Sequence, residues 1–283
     1  VEKSIKSSRP NTLSTDSYKL HLTSICTVDT SLTLIQSAFT HYNIYKQAND
    51  LALANSDSHI HLLLQVLDRI KNKQWSEAKV LWAKSLSLYA KLVKDSQINL
   101  FGRLSEQFFE QFVQDSLDQN LIVVKKFKTI NGEKPKNISM GAFRFDKYTS
   151  VETEKTKYLY ICLDKATSTR QIDQWLSLIL AINITGINII EEERYLENKD
   201  LPEKIIFPPN DIYIKQRYRL TDISFCNGSH HIADVHFENI KNSGWYQYDR
   251  MGKTYRARAM YIGNVCPLYR DSFAIDFVIY AKI

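Results

Sequence analysis

Cysteine is scarce and scattered in this 283-residue chain: Cys26, Cys162, Cys226 and Cys266 lie far apart, with no C-x-x-C pair. That spacing argues against a zinc site and against a disulfide framework, so neither metal nor cofactor is expected. It fits a reducing compartment, and the expected location is cytoplasm or nucleus. Long apolar runs are missing as well. The longest candidate, WLSLILAINITGINII (Trp175 to Ile190), is broken by serine, two asparagines, threonine and glycine, and reads as core instead of a membrane span. The opening VEKSIKSSRPNTLSTDSYKL has no apolar block and is not expected to act as a secretory signal. Internal repeats and low-complexity tracts are absent. Basic residues are in excess, with 37 Lys and Arg against 31 Asp and Glu. They are nevertheless dispersed: VVKKFK and RARAM are short and flanked by strand-like residues. A solvated basic face is the better reading, because nucleic-acid footprints gather on one stripe. What remains is a globular composition, 44% hydrophobic and 24% charged, in a chain long enough for one large domain or two modest ones.

The order of elements divides the chain. The first half reads as helices. SHIHLLLQVLDRI places Ile60, Leu63, Leu64, Leu67 and Ile70 on one face, and SEAKVLWAKSLSLYAKLV does the same with Ala78, Leu81, Trp82, Tyr89 and Leu92. INLFGRLSEQFFEQFVQDSL adds a third stripe of Leu104, Phe108, Phe112 and Val113. After about Leu121 the segments turn short and rich in Val, Ile, Tyr and Phe: LIVVKKF, YLYICLD, KIIFPP, DIYIKQRYRLTDISF, HIADVHF, GWYQYDR and FAIDFVIYAKI. One helix-like interruption, STRQIDQWLSLILAI, stands among them, with Ser168 or Thr169 as its cap. Helices first and strands later predict an α+β fold. The expected boundaries are an N-terminal extension over 1–17, a helical lobe over 18–120 and a β-rich lobe over 121–283, together one domain.

Two constellations carry chemistry. In LHLTSICTVDTSLTLIQSAF, Val28, Leu32, Ile35 and Phe39 recur at helical spacing, and Ser24, Thr27 and Asp29 compete for the cap. Cys26 would then sit in the first helical turn, where unpaired N–H groups and the positive end of the helix dipole favour a thiolate. A cysteine packed as a small hydrophobe is the alternative. In the β half, ISFCNGSHHIADVHFENIKNSGWYQYDRM carries His230, His231 and Asp249. Two strands joined by ENIKNSG would form a hairpin that lays Asp249 beside the histidine end. A histidine able to take a thiol proton, oriented by a carboxylate, is the triad arrangement. Each residue taken alone also fits a surface or turn position.

These segments, in this order over most of the chain, resemble the ubiquitin-specific proteases, and most of all their relatives the ubiquitin-specific-protease-like SUMO isopeptidases. SICTVDTSLTLIQSAF is similar to the family's cysteine box and LFGRLSEQFFEQFVQDSL to its second box. YLYICLD resembles the strand that lines the groove for the modifier tail. LPEKIIFPPNDIYIKQRYRLTDISFCNGSHHIADVHF resembles the run into the histidine box, and GWYQYDRM the strand bearing the aspartate. The resemblance implies a papain-like fold with a helical lobe followed by an antiparallel β lobe. It also implies a cysteine isopeptidase that cleaves after the Gly–Gly tail of ubiquitin or a ubiquitin-like modifier such as SUMO. Cys26 would be the nucleophile, His231 the general base and acid, and Asp249 its orienting partner. His231 is preferred to His230 because an apolar residue, Ile232, follows it. His21 stands where the family's oxyanion asparagine does, and an imidazole N–H could donate the same bond. Tyr160 and Trp245 are candidate groove residues, although the hairpin aromatics could equally be strand packing. The partners implied are ubiquitin or ubiquitin-like conjugates, with neither membrane nor nucleic acid. The second box lacks its usual Gln–Asp pair, with Arg103, Glu106 and Gln107 in that region, and the zinc-finger cysteines are absent. The altered boxes leave open an inactive module of the same fold that binds the modifier without cleaving it.

Overall fold

The computed structural model describes residues 12–15, 18–41, 44–54, 57–86, 89, 93–94, 97–112, 121–130, 142–144, 158–162, 178–183, 203–207, 216–238, 242–249, 259–267 and 270–283. The first lobe is helical: α1 Cys26–Ala38, α2 Ile44–Ala54, α3 His59–Lys71 and α4 Trp75–Ser85, then a short helix Leu104–Gln107 and a 3-10 turn Phe109–Phe112. A small sheet accompanies it, with β1 Thr12–Thr15, β2 Tyr18–Thr23, β3 Val93–Lys94 and β4 Gln97–Asn99 in the order β1-β2-β4-β3. The second lobe contains β5 Ile122–Ile130, β6 Ala142–Arg144, β7 Tyr158–Cys162, β8 Ile179–Asn183, β9 Lys204–Phe207, β10 Gln216–Cys226, β11 His231–Phe237, β12 Gly244–Tyr248, β13 Met260–Gly263 and β14 Ala274–Lys282. Its large sheet runs β13-β12-β11-β10-β14-β8-β5-β7-β6, with β9 on β10. All of these pairs are antiparallel except β5 with β8. This is an α+β arrangement, a helical lobe followed by a mostly antiparallel β lobe.

Helix α3 follows its sequence closely. Ser58 accepts from the His61 N–H at 3.2 Å as its cap, and Ile60, Leu63, Leu64, Leu67 and Ile70 are all buried. Trp82 of α4 is fully buried, donates its indole N–H to the Gln107 carbonyl at 2.9 Å, and lies over Phe108 and Phe112 at 4.5 and 5.9 Å between ring centres. Phe109 stacks at 4.4 Å on Phe277 of β14, so the aromatic cluster of the helical lobe continues into the sheet. In β10 the register shifts between Ser224 and Phe225, and there the Ser224 hydroxyl accepts from the Phe277 N–H at 2.9 Å. A side chain thus satisfies the backbone donor that the irregularity strands.

The structure departs from the sequence reading in four places. First, α4 stops at Ser85, with Leu86 extended, short of the Tyr89 expected on its face. The helix expected over STRQIDQWLSLILAI ends as a strand: Ile179–Asn183 is β8, parallel to β5 and antiparallel to β14, while residues 163–177 lie outside the described residues. An uninterrupted apolar run suits a strand buried on both faces as well as it suits a helix, and periodicity cannot separate the two. The long helix expected over INLFGRLSEQFFEQFVQDSL is instead β4, the short helix and the 3-10 turn. Its apolar stripe still reaches the core, since Leu104, Phe108 and Phe112 are fully buried, while Val113 lies outside the described residues. Helix α2 was not anticipated. Among the described residues no helix is long and apolar enough to cross a membrane.

Candidate active site

Helix α1 runs between the lobes, packed on β10, β11 and β14, with nearly every side chain buried, its polar ones included. Several of those polar groups are consumed by specific bonds. The Thr27 hydroxyl donates to the Gly102 carbonyl at 2.9 Å, Thr30 to the His231 carbonyl at 3.2 Å, and Asp29 pairs with Lys79 at 2.5 Å. None of the expected caps is used. Ile25 occupies the cap position with no side-chain hydrogen bond, and Ser24 before it takes a left-handed φ of 50°. Cys26 is therefore the first helical residue, free of a disulfide, at a helix start whose cap residue makes no side-chain hydrogen bond.

His230 is held from three directions. The Asn227 side-chain carbonyl accepts from the N–H of His230 at 2.9 Å, and from the N–H and hydroxyl of Ser229 at 3.1 and 3.0 Å, tightening the turn before β11. The His230 Nε2–H donates to Asp249 Oδ1 at 2.8 Å. Phe273 lies edge-on to the ring at 6.2 Å. That leaves Nδ1, which is buried and closes no hydrogen bond among the described residues, as the nitrogen for Cys26. Catalytic contacts are commonly long before substrate arrives. The electrostatics agree with this pairing. Burial pushes the Cys26 thiol up, but the His230 ring, the His231 main-chain N–H, the His230 charge and the Thr27 hydroxyl together hold it below its ordinary value. Interaction with Cys26 raises His230 most, against its burial, and the Asp249 bond and charge add to the rise. Both shifts favour a thiolate–imidazolium pair.

A second Cys-His-Asp set stands directly behind the first. Cys226 Sγ lies 3.7 Å from His231 Nε2, and His231 Nδ1 lies 3.5 Å from Asp276 Oδ2. Cys226 and His231 face each other in the β10–β11 register, and the Gly228 N–H donates to Cys226 Sγ at 3.2 Å. The charges run the other way here. Burial raises Cys226, partly offset by the Gly228 bond, and nearby Asp276 and Cys26 raise it further. Burial also drops His231 to about 4, with the Gly102 carbonyl pulling up and the His230 charge pulling down. At neutral pH this set is a neutral thiol beside a neutral imidazole. Asp276 at 3.5 Å is an electrostatic neighbour, and His231 Nδ1 makes no hydrogen bond among the described residues.

The structure thus brings Asp249 to His230, not to His231 as the sequence reading expected. The reason is strand parity. Ala233 opposes Tyr248 across the β11–β12 hairpin, so Asp249 follows onto the face of Ile232 and His230, while His231 points to the opposite face with Cys226. Counting that alternation back from the hairpin loop is the sequence signal that singles out His230. His21 lies exposed in β2, registered with Thr12 and Gln97, and its ring makes no hydrogen bond among the described residues. Trp245 is buried in β12 against His236 at 5.3 Å, so packing describes it better than an open groove does. Tyr160 lies in β7, registered with Lys128 and Arg144; its side chain is outside the described residues. Among the described residues no cluster of His, Cys, Asp and Glu could hold a metal ion.

No protein-family model matches the chain, and no curated protein matches its sequence. Solved structures resemble it in fold. The Ubp8-Sgf11-Sgf73-Sus1 SAGA DUB module is 9% identical, over 93% of this chain and 67% of that one, with a TM-score of 0.46. The SAGA DUB module bound to ubiquitin aldehyde is 9% identical, over 98% and 71%, with a TM-score of 0.38. The apo Pan2 pseudoubiquitin hydrolase–RNA exonuclease module of Saccharomyces cerevisiae is 8% identical, over 91% and 51%, with a TM-score of 0.43. This chain therefore spans only about half of the Pan2 chain. At these identities the likeness concerns fold alone.

Proposed function

We propose that the protein is a cysteine hydrolase with Cys26 as nucleophile, His230 as general base and acid, and Asp249 as its orienting partner. We propose further that it cleaves after the Gly–Gly tail of ubiquitin or a ubiquitin-like modifier. The observation that carries the chemistry is the convergence of an uncapped helix start, a depressed thiol and an imidazole whose far nitrogen is fixed by a carboxylate at 2.8 Å. The modifier tail rests on the sequence resemblance of the boxes around these residues.

The steps follow from the geometry. The Cys26 thiolate attacks the scissile carbonyl carbon, and the resulting oxyanion is received by first-turn N–H groups of α1, with His21 as a further donor. Protonated His230 gives its proton to the departing lysine amine, leaving a thioester on Cys26. His230, now neutral, takes a proton from water as the water attacks the thioester. Collapse releases the glycine carboxylate and restores the thiolate–imidazolium pair. Asp249 keeps Nε2 protonated, so that Nδ1 remains the working nitrogen.

The experiment is to incubate the purified protein with electrophilic C-terminal probes of ubiquitin, SUMO and related modifiers. A covalent adduct with one probe, lost in Cys26→Ala and in His230→Ala, is the expected result. Tight noncovalent binding without any adduct would instead favour a binding module. An adduct retained in Cys26→Ala and lost in Cys226→Ala would transfer the reaction to the second set.

A further inference from the structure

His231 is the sequence's first choice of base, yet the proposed chemistry leaves it unused. Its surroundings are unusually specific for a spare residue. Its carbonyl accepts from Thr30 of α1 at 3.2 Å, across the lobe boundary. Its ring is buried between Cys226 at 3.7 Å and Asp276 at 3.5 Å, on the opposite face from His230. Gly102, whose carbonyl draws the ring's pKa upward against burial, is tied to α1 through Thr27 at 2.9 Å. The Gly102 α-carbon is itself closely covered, since a Cβ there would meet the Gln107 side chain at 2.4 Å. Residue 231 is thus stitched on both sides to the segment that carries Cys26.

We propose that His231 is a positioning residue that acts through Cys26: its ring, buried between Cys226 and Asp276, and its carbonyl, fixed by Thr30, hold the start of β11 so that the 231 main-chain N–H points at the Cys26 sulfur. The inference rests on Cys26 being the nucleophile and deepens that reading. A main-chain donor cannot rotate away as a side chain does, so its value depends on how firmly residue 231 is pinned. The N–H also stabilises the sulfur as an anion, which accords with the lowered thiol. Neutrality of the ring matters too. An imidazolium at 231 would stand beside the His230 imidazolium, and burial keeps it neutral.

The test needs no modifier. Iodoacetamide alkylation of Cys26 would be followed by peptide mass spectrometry from pH 5 to 10 in wild type, His231→Phe, His231→Gln and Thr30→Val. The expected result is a profile displaced toward that of an ordinary thiol in His231→Phe, giving about tenfold slower alkylation at pH 6, with the alkaline plateau unchanged. A one-unit displacement corresponds to that tenfold change. His231→Gln recovers part of the rate, and Thr30→Val moves it the same way by a smaller factor. Thr30→Val keeps the test decisive if His231→Phe does not fold. Melting temperatures that fall while the Cys26 profile stays fixed in every variant overturn the proposal and leave the function untouched. Conversely, displaced profiles with no reaction toward any modifier probe uphold the pin while removing the proposed substrate. A wild-type Cys26 no faster than an ordinary thiol removes both.

Discussion

At the scale of single residues, the decisive difference is between two histidines adjacent in sequence. His230 is raised and His231 lowered to about 4 because one interacts with the Cys26 thiol and holds a carboxylate at 2.8 Å, while the other is buried with weaker partners. The pH dependence follows with its sign. Hydrolysis rises as Cys26 ionises, below the ordinary thiol value of 9.0, and falls as His230 loses its proton, above the ordinary 6.5. A pH–kcat/KM profile measured with a fluorogenic modifier substrate should therefore be a bell, whose alkaline limb moves down in Asp249→Asn as the raising carboxylate is removed. An unmoved alkaline limb in that variant speaks against His230 as the titrating group. His230→Ala should lower kcat by about 10²–10⁴, the usual range for losing a general acid–base. The residue types of the proposed site, a cysteine at a helix start, a histidine pair and an aspartate one hairpin away, were legible in the sequence. The choice between the histidines was not, because the residue that follows a histidine says nothing about which face of the strand it occupies. That information lies in the cross-strand register.

At the scale of elements, α1 shows why a buried helix can be so polar. Asp29 and Lys79, 2% and 5% exposed, are a buried pair, and Lys79 also lies 5.9 Å from the Trp75 ring. Removing one partner strands a buried charge, so Lys79→Met should cost ~3–5 kcal/mol in urea unfolding, while the double variant Asp29→Leu/Lys79→Met should regain much of it. A single variant within 1 kcal/mol of wild type would contradict the pairing. Elements differed widely in how well they could be read. Helix α3 announces itself through a serine cap and five apolar positions on one face, all of which the structure buries. β8 does not, because its apolar run ILAI has no alternation and fits a helix as well as a strand. Helix α2, IYKQANDLALA, buries Ile44, Ala48 and Ala52 among its described apolar side chains, while Leu53 is 86% exposed. So narrow a stripe of small side chains gives a weak pattern.

At the scale of the whole molecule, the lobes are joined by α1 and by aromatic packing, and the site lies at that joint. Phe109 stacked on Phe277 is the clearest apolar link, and Phe109→Ala should cost ~3–5 kcal/mol of unfolding free energy. Acid should also act through the joint. His236, opposite Trp245 in the register, is held at about 4, first by burial and then by the charges of Arg219 and His41. The unfolded ring titrates near 6.5, so between pH 6.5 and 4 the unfolded chain binds the extra proton, and stability falls as pH falls through that window. In His236→Gln the plot of unfolding free energy against pH should be shallower there; an equal or steeper slope excludes this linkage. The order of helices before strands was legible from composition along the chain. The expectation that Cys26 meets the histidine pair and Asp249 came only from the family-like order of boxes, and it named His231 where the structure sets His230 against Asp249.

The measurement that bears most directly on the account is competitive alkylation of the native protein with a limiting amount of iodoacetamide at pH 6.5, with each cysteine peptide quantified by mass spectrometry. The account predicts that Cys26 is modified first, that Cys226 stays protected, and that His230→Ala abolishes the preference. Faster labelling of Cys226, or a Cys26 preference that survives His230→Ala, would contradict it.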